Sequence, residues 1–431
     1  MSAADGAGSL PIEHQQGAVF ATIFGSFLVR LAGAATGVML GIFLARLHRS
    51  GTAETSAMAL GLLMGAFYLS ELVGAPICGF LVDRKGVRLF LLAGPILGVL
   101  AEFLFAGRFH LSGLLTARLL QGLTTALTIP AALAFLSELT EAESTRASAA
   151  GRGVIMGWFE VGSIGGLAAG NIVGGFLWEG LRQDGFLPLA VLYGVAALLF
   201  VVINPATRPR KNHSLAASLA GLREAIDLVP CWLAVNAAAG LWFGHAAYQL
   251  SGANPRPHQQ LTVGFSGAMI GIIFGVYTLL FAFGTIGWGS VLGRFPVGRA
   301  MRVGALGLLF AMVSLLGINH APSFRSESFW LFVLLGILAL AAETAFTPAA
   351  LTMLASRSDG SRGGRGAVMG VYSTLLGGGQ LLGVLIGGLV ASYQGVDGMI
   401  AATLVLAVIG LVTIPRDRAE EVKDWGLGVG G

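Results

Sequence analysis

Single charged side chains lie inside long apolar stretches of this sequence. Arg30, Glu71 and Glu343 fall near the middle of such stretches, and Glu160 falls about two helical turns inside another. An apolar surrounding tolerates a charge poorly unless the charge faces water or a partner. Each of these carboxylates is therefore a candidate to bind a proton or a cationic group. The alternative for Glu71 and Glu160 is a buried ion pair with Arg30.

Other kinds of reactive site do not stand out in the sequence. No Ser–His–Asp, zinc-ligand or paired-cysteine pattern has suitable spacing, and no G-x-x-x-x-G-K-S/T phosphate loop occurs. Cys78 and Cys231 are expected to pack within apolar segments. His245 could bind a proton or a substrate, or pair with a neighbouring hydroxyl group. Glu102 is expected to be peripheral. We predict no metal, no cofactor and no enzyme activity.

The composition identifies the surroundings of these residues. The chain has 431 residues, of which 55% are hydrophobic and 11% charged, and 65 are glycine. Soluble domains carry roughly 25% charged residues, so this is predicted to be an all-α integral membrane protein. The positive net charge is scattered over short loops, and only three residues are lysine (Lys85, Lys211 and Lys423). Nucleic acid is therefore not an expected partner.

Apolar segments long enough to cross a bilayer recur along the chain. A crossing needs about 20 largely apolar residues, and this criterion predicts twelve spans. They cover residues 18–45, 56–82, 87–107, 111–137, 152–178, 186–204, 229–250, 262–292, 300–318, 328–355, 366–392 and 397–414. The longest polar connection, 205–228, divides the chain into a first half (17–204) and a second half (229–415), flanked by tails 1–16 and 416–431.

The distribution of basic residues predicts the orientation. With the N-terminus inside, the inward loops and tails carry 18 of the 26 Lys and Arg residues and the outward loops carry six. Arg30 and Arg118 lie within spans. Basic residues concentrate in cytoplasmic loops of membrane proteins, so both termini are predicted to be cytoplasmic.

The two halves repeat each other. Gly151–Gly157 reads GRGVIMG and Gly364–Gly370 reads GRGAVMG, and over 25 positions at this offset ten residues are identical. Residues 130–133 and 348–351 both read PAAL. These echoes relate spans five and four to spans eleven and ten, so the halves are predicted to be two pseudo-symmetric bundles of six helices.

A short basic connection between spans two and three carries a family resemblance. Residues 79–88 read GFLVDRKGVR, which resembles the G-x-L-x-D-R-x-G-x-R signature of the major facilitator superfamily. The residues that carry it are Gly79, Asp83, Arg84, Gly86 and Arg88. In that family the signature lies in a tight cytoplasmic turn, and its glycine lets two helices pack closely. Together with the repeated halves, the resemblance extends over roughly residues 17–415.

The resemblance implies a cytoplasmic gate. Asp83 would face the start of span eleven near Arg365, where the free N–H groups of a helix N-terminus stabilise a carboxylate. This contact would hold the cytoplasmic side shut and break on opening. The alternative is that Asp83 caps only its own turn.

Two further motifs resemble exporters of this family. Arg118 and Gln121 fit the R-x-x-Q-G signature, whose Arg is tied to proton coupling in drug–proton antiporters; the alternative is that Arg118 extends to lipid headgroups. Span five resembles the exporter signature G-x-x-x-G-P-x-x-G-G, but Asn171 replaces its proline. The glycines predict close helix packing in spans five and eleven. They are Gly166, Gly170, Gly174, Gly175, Gly379, Gly383, Gly387 and Gly388.

Together these features predict a secondary transporter that works by alternating access. The motifs favour proton-coupled export of small amphipathic organic molecules, with Glu343 the strongest cavity candidate because no basic partner is evident in its half. Against export stand Asn171 and the cationic Arg30 in span one. Uptake or export of an organic anion, sugar derivative or lipid therefore stays open, as does a non-transporting family member that binds or delivers a pigment, lipid or partner. We expect a monomer in a prokaryotic inner membrane.

Overall fold

The computed structural model describes residues 12–51, 55–107, 110–141, 148–203, 226–358 and 364–415. Within these ranges the chain is helical apart from short connections. The first half contains α1 (Ile12–Arg49), α2 (Ala57–Lys85), α3 (Arg88–Ala106), α4 (Leu111–Glu141), α5 (Ser148–Leu181) and α6 (Phe186–Ile203). The second half contains α7 (Val229–Leu250), α8 (Gly267–Val291), α9 (Val297–Asn319), α10 (Glu327–Glu343), α11 (Phe346–Ser358) and α12 (Gly364–Val412).

Nine helical stretches are long and apolar enough to cross a membrane within the described part of the chain. Two of them, Val154–Ile203 and Thr374–Val412, are 50 and 39 residues long. The first contains the four-residue 3-10 turn Arg182–Gly185 between α5 and α6. The second contains Gly395, whose φ of 61° and ψ of −135° interrupt α12.

The chain reverses at Gly395. A Cβ atom at Gly398 would lie 2.5 Å from the carbonyl oxygen of Val390, whereas residues eight positions apart in a straight helix are about 12 Å apart. A positive φ costs glycine little because it has no Cβ. The last helical stretch therefore consists of two antiparallel segments, as predicted for residues 366–392 and 397–414.

The tight turn between α2 and α3 is confirmed. Only Gly86 and Val87 separate the two helices. Gly86 has a φ of 81°, and its N–H donates to the Val82 carbonyl at 2.8 Å. A side chain at this position would be strained, which explains the glycine between the basic residues.

The predicted span 328–355 agrees with the candidate span Glu327–Leu354, but the helix within it is broken. Helix α10 ends at Glu343 and α11 begins at Phe346. Pro348 lacks the N–H that would bond to the carbonyl of Thr344, and its ring displaces that carbonyl. At the break, the hydroxyl group of Thr344 donates to the Ala341 carbonyl at 2.9 Å. The break places the end of α10 inside the protein.

The two halves meet mainly at one end of the bundle. We call this the outer end, because it carries the loops that the basic residues predict to lie outside, including 182–185 and 251–266. Here α1 packs on α7, α2 on α12 and α5 on α8. Nearer the other end, Gly79 of α2 and Gly289 of α8 have no described atom within 4 Å of a built Cβ. The contacts between the halves in the described part of the chain therefore lie mainly towards the outer end.

Candidate functional site

Glu343 is a buried carboxylate at an interior helix end. It is the last residue of α10 and is 9% exposed. Among the described residues, its Oε2 atom has no hydrogen-bond partner. The last turn of α10 contains no basic residue, and the partial negative charge of a helix C-terminus does not stabilise an anion. Within the described part of the chain, no basic nitrogen lies within 4 Å of this carboxylate.

Neighbouring helices fix the position of Glu343. Gly307 of α9 passes so close that a Cβ there would overlap the amide nitrogen of Glu343. On the other side, the Trp288 indole N–H donates to the Ala341 carbonyl at 2.8 Å, which joins α8 to α10. Tyr277 of α8 is near enough to interact electrostatically with Glu343. A carboxylate and a phenol hydroxyl can hold a proton or the cationic group of a small molecule.

The charged residues of α1, α2 and α5 do not form the ion pair that the sequence left open as an alternative. Arg30 and Glu71 are partly buried and interact electrostatically. Among the described residues, however, no N–O distance of 4 Å or less joins Arg30 to Glu71 or Glu160, and the Nε atom of Arg30 is buried without a hydrogen-bond partner. Glu160 is exposed. The guanidinium of Arg30 is thus only partly hydrogen-bonded within the described residues.

Arg118 lies in the interior rather than at the headgroups. It is 4% exposed, and its Nη1 donates to the Oε1 atom of Gln121. Its Nη2 contacts the Met64 sulfur, and its Cζ atom lies 5.0 Å from the centre of the Phe67 ring. The guanidinium is thereby held against α2 by a weak acceptor and an aromatic face.

The expectation that Glu102 is peripheral was wrong. Glu102 is fully buried, and its Oε1 atom is 2.6 Å from the Thr36 hydroxyl oxygen and 3.3 Å from the Gln121 amide nitrogen. The helical spacing held a signal for this burial, because Glu102 shares one face of α3 with Gly98 and Phe105. Nearness to the end of a span misled the sequence-based prediction.

His245 lies within a helix contact. It is fully buried, and its Nε2 atom is 2.7 Å from the Val384 carbonyl oxygen of α12. Gly387 and Gly61 both lie against its ring. His245 therefore lies where α7, α12 and α2 meet, and its partner is a backbone carbonyl rather than the hydroxyl group that the sequence offered as one alternative.

The predicted gate is described only in part. Asp83 and Arg365 lie in α2 and α12, but their side chains are outside the described residues, so their contact stays a prediction. Arg84 stacks on Phe80, with its Cζ atom 4.3 Å from the ring centre. Arg88 is exposed at the start of α3. A Cβ at Gly79 would meet none of the described atoms within 4 Å, and the predicted close packing of this glycine stays a prediction.

The glycines of spans five and eleven lie at close helix contacts. In α5, a Cβ at Gly166 or Gly174 would lie 2.6 Å from a carbonyl oxygen of α1, and one at Gly170 would also overlap α1. Gly175 instead faces α8. The corresponding glycines of α12 face α7 or, for the last of them, α2. These are Gly379, Gly383, Gly387 and Gly388.

Polar contacts reinforce the outer end. The Asn171 amide of α5 donates to the Thr278 hydroxyl of α8 at 3.2 Å, and both residues are buried. Arg49 at the end of α1 donates to the carbonyls of Ser251 and Gly252. The Tyr248 hydroxyl donates to the Thr55 carbonyl at 3.1 Å. Each contact joins the two halves and must break if this end opens.

The carboxylate of Glu179 also joins the two halves at the outer end. The backbone N–H of Ala268, at the start of α8, donates to the Oε2 atom of Glu179 at 2.9 Å. Glu179 lies at the outer end of α5, so its carboxylate meets a helix N-terminus from the other half.

The fold and the arrangement of these helices match known transporters. A family profile described as the Major Facilitator Superfamily matches residues 22–321 and 242–428. The chain belongs to the Major Facilitator Superfamily. This is a superfamily of transporters and not of enzymes.

Solved structures of the superfamily have the same fold. The crystal structure of the nucleoside transporter NupG has a TM-score of 0.69 and 12% sequence identity, and the match covers 92% of this chain and 97% of that chain. The peptide transporter POT in complex with sulfate has a TM-score of 0.70 and 16% identity, covering 95% of this chain and 94% of that chain. At these identities the likeness shows the fold alone.

Curated members of the superfamily are related in sequence. Multidrug resistance protein 2 of Bacillus subtilis is 24% identical over 207 residues, which cover 47% of this chain and 48% of that protein. Multidrug resistance protein 1 of the same organism is 27% identical over 179 residues, or 41% and 43%. The chain thus matches about half the length of these relatives. Quinolone resistance protein NorA of Staphylococcus aureus is 22% identical over 414 residues, covering 94% and 97%.

Proposed function

We propose that this protein exports small amphipathic organic molecules in exchange for protons by alternating access. The chain would cross the membrane twelve times as two six-helix halves, 17–204 and 229–415, that rock about a site between them. The tails 1–16 and 416–431 and the linker 205–228 would face the cytoplasm. The protein would work as a monomer in a prokaryotic cytoplasmic membrane.

The observation that carries this proposal is the unpartnered carboxylate of Glu343. Its buried oxygen lies at the C-terminus of α10 and has no cationic partner among the described residues. A proton or the cationic group of a substrate would complete the site. If both compete for the same carboxylate, binding of one releases the other, which is the requirement for exchange transport.

The relatives support export in particular. Two are named for multidrug resistance and one for quinolone resistance. The R-x-x-Q-G motif agrees with them, because Arg118 and Gln121 are buried together as a bonded pair. These relatives are only 22–27% identical to this chain, so the substrate class is part of our proposal.

The contacts at the outer end fit one stage of this cycle. Closure there by Arg49, Asn171 and Tyr248 would correspond to a state that opens towards the cytoplasm. An exporter takes up its substrate in this state. Release would require the outer contacts to part while the predicted Asp83 gate closes.

Arg30 favours a second candidate substrate class. Its buried Nε atom has no hydrogen-bond partner among the described residues, and an Arg with open donors binds carboxylates and phosphates well. An organic anion, sugar derivative or lipid would use Arg30 where an organic cation uses Glu343. The two candidates predict opposite charge preferences.

Inside-out membrane vesicles test the proposal. Vesicles containing the protein, energised to be acidic inside, should accumulate the fluorescent cation ethidium and lose it when a protonophore is added. The Glu343→Gln variant should fail to accumulate ethidium, whereas Glu327→Gln, an exposed residue at the outer start of α10, should behave as wild type. Accumulation of an anionic dye in place of ethidium would favour the Arg30 candidate. Gradient-driven ethidium uptake by Glu343→Gln would overturn the assigned role of Glu343.

A further inference from the structure

A second buried carboxylate lies in the first half, remote in sequence from Glu343. Glu102 of α3 is fully buried between α1 and α4, and its Oε2 atom has no hydrogen-bond partner among the described residues. No N–O distance of 4 Å or less joins it to a basic group in the described part of the chain. A bare carboxylate in such a place would be costly.

The hydrogen bonds of the Thr36 hydroxyl group indicate whether the Glu102 carboxyl group is protonated. The Thr36 hydroxyl oxygen is 2.9 Å from the Ala32 carbonyl oxygen and 2.6 Å from the Oε1 atom of Glu102. A hydroxyl group has one hydrogen, and it has lone pairs that can accept another. If Thr36 donates to Ala32, as threonines in helices commonly do, the short contact with Glu102 needs a hydrogen from the carboxyl group. A neutral carboxylic acid satisfies both contacts.

Thr278 has the same arrangement as Thr36, and there the group that donates to the hydroxyl oxygen is known. The Thr278 hydroxyl donates to the Phe274 carbonyl four residues earlier at 2.8 Å and accepts from the Asn171 amide at 3.2 Å. Thr36 has the same backbone acceptor geometry, and Glu102 takes the place of the amide donor. This parallel supports a hydrogen on the Glu102 carboxyl.

Gln121 separates Glu102 from the nearest positive charge. Arg118 can only donate, so the Gln121 oxygen must face it and the Gln121 NH₂ group must face Glu102. Arg118 is left with the Met64 sulfur, a weak acceptor, and with an Nε atom that has no partner among the described residues. The guanidinium can therefore form a stronger contact than it has here.

The surroundings contain few other titratable groups. Tyr193 of α6 interacts with both Glu102 and Arg118, and its ring packs on Gly98 of α3. On α1 the nearest charged residue is Arg30, which interacts with Tyr193 and with Glu71. On α2, Tyr68 interacts with Arg118. Arg118 is thus the charged group with which Glu102 interacts, so a change in the charge of Glu102 acts on Arg118.

We propose that Glu102 is a second proton-binding site of the transport cycle, with Gln121 and Arg118 as its switch. In the protonated state the carboxyl O–H donates to Thr36, and Gln121 bridges to Arg118. When the proton leaves for water, the electron pair stays on Glu102, and the carboxylate draws the guanidinium away from Gln121 and Met64. No bond other than O–H is broken.

Helix α2 would carry this event to the other half. Met64 and Phe67 hold the Arg118 guanidinium on α2. On the adjoining part of α2, a Cβ at Gly61 would lie 2.8 Å from the Val384 carbonyl oxygen of α12. Release of Arg118 from α2 therefore changes the packing of the helix that bridges the halves at the outer end.

The proposal rests on the proposed proton coupling, but its first test does not need a substrate. Infrared spectra of purified protein over a range of pH would follow the C=O band of protonated carboxyl groups. Wild type should show a band that is absent in Glu102→Gln, shifted in Thr36→Val and unchanged in Glu327→Gln. Identical spectra for wild type and Glu102→Gln would overturn the proposal.

A transport measurement separates coupling from a merely structural role. In liposomes, Glu102→Gln should still exchange ethidium across the membrane when no gradient is imposed, because the amide keeps the polar contacts. Its ethidium-evoked proton flux should fall below the wild-type value, because only the exchange at Glu343 is left. Proton flux at the wild-type rate would overturn the proposal for Glu102. A wild-type protein that moves no protons would instead refute the proposed function, and the infrared result would still decide the protonation of Glu102.

Discussion

At the scale of single residues, Asn171 marks where this chain departs from the export signature that it resembles. The signature has a proline there, and the sequence suggested that its loss weakens the case for export. The structure gives the replacement a role, because the Asn171 amide bonds across the halves to Thr278. A polar contact at the outer end stands in the place of a helix kink.

We predict that Asn171→Ala opens the outer end more often. Losing this hydrogen bond should change the ratio of closed to open protein about two- to thirteenfold, the equivalent of about 0.5–1.5 kcal/mol. The distance between spin labels at the exposed positions His110 and Arg325, measured by double electron–electron resonance, would report the change.

Two comparisons make this measurement specific. Thr278→Val should have the same effect, and the double variant should add little because both changes remove one contact. Asn236→Ala removes a bond to the Trp232 carbonyl within α7 and should leave the distances unchanged. Equal effects of Asn171→Ala and Asn236→Ala would contradict the role of the contact between halves.

At the scale of helices, the glycine positions separate close contacts from open surface. A Cβ at Gly383 of α12 would overlap the Ala237 carbonyl of α7, whereas a Cβ at Gly289 of α8 would meet nothing within 4 Å among the described residues. Both glycines lie within helices. Replacing each of these two glycines by alanine therefore compares a close helix contact with open surface through the same chemical change.

We predict that Gly383→Ala and Gly289→Ala shift stability in opposite directions. Overpacking at Gly383 should cost about 1–3 kcal/mol, and replacing a helical glycine in open space should gain about 0.5–1 kcal/mol. Thermal unfolding of the purified variants in detergent would measure both. Gly383→Ala protein that unfolds at or above the wild-type temperature would rule out the close α7–α12 contact.

Helix bounds were largely predictable from the sequence because bilayer thickness dictates the length of apolar segments. The break in the helix after Glu343 could not be predicted from the sequence. Pro348 was visible, but Pro130 at the repeated position lies within the unbroken α4. The difference depends on tertiary packing, because Gly304 makes room for Phe346 beside the break.

The polar contacts were less predictable than the helices. Arg118, Gln121 and Glu343 were identified from motifs and from charge in apolar segments. Glu102 and Asn171 were not understood, because their partners are Thr36, 66 positions away, and Thr278, 107 positions away. A sequence places such residues on a helix face, but only the folded arrangement supplies the partner.

At the scale of the whole molecule, alternating access requires a lock at each end. The described contacts form the outer lock, with Arg49 on the 251–266 loop and Glu179 at the start of α8. The inner lock is the predicted contact of Asp83 with the start of α12. In alternating access this lock would form only after the outer lock parts.

We predict that Asp83→Asn slows transport without harming folding. An amide binds a helix N-terminus less strongly than a carboxylate does, so the state closed at the inner end should be less populated. Ethidium transport in liposomes, normalised to the amount of folded protein, would show the lower rate. A wild-type rate in Asp83→Asn would remove the proposed inner lock.

The central claim is that substrate and proton exchange at Glu343. The most direct measurement follows the lumen pH of liposomes that contain purified protein, under an imposed pH gradient, while cationic, neutral and anionic compounds are added. We predict proton movement evoked by amphipathic organic cations and lost in Glu343→Gln. Proton movement that persists in Glu343→Gln, or silence with every compound, would contradict it.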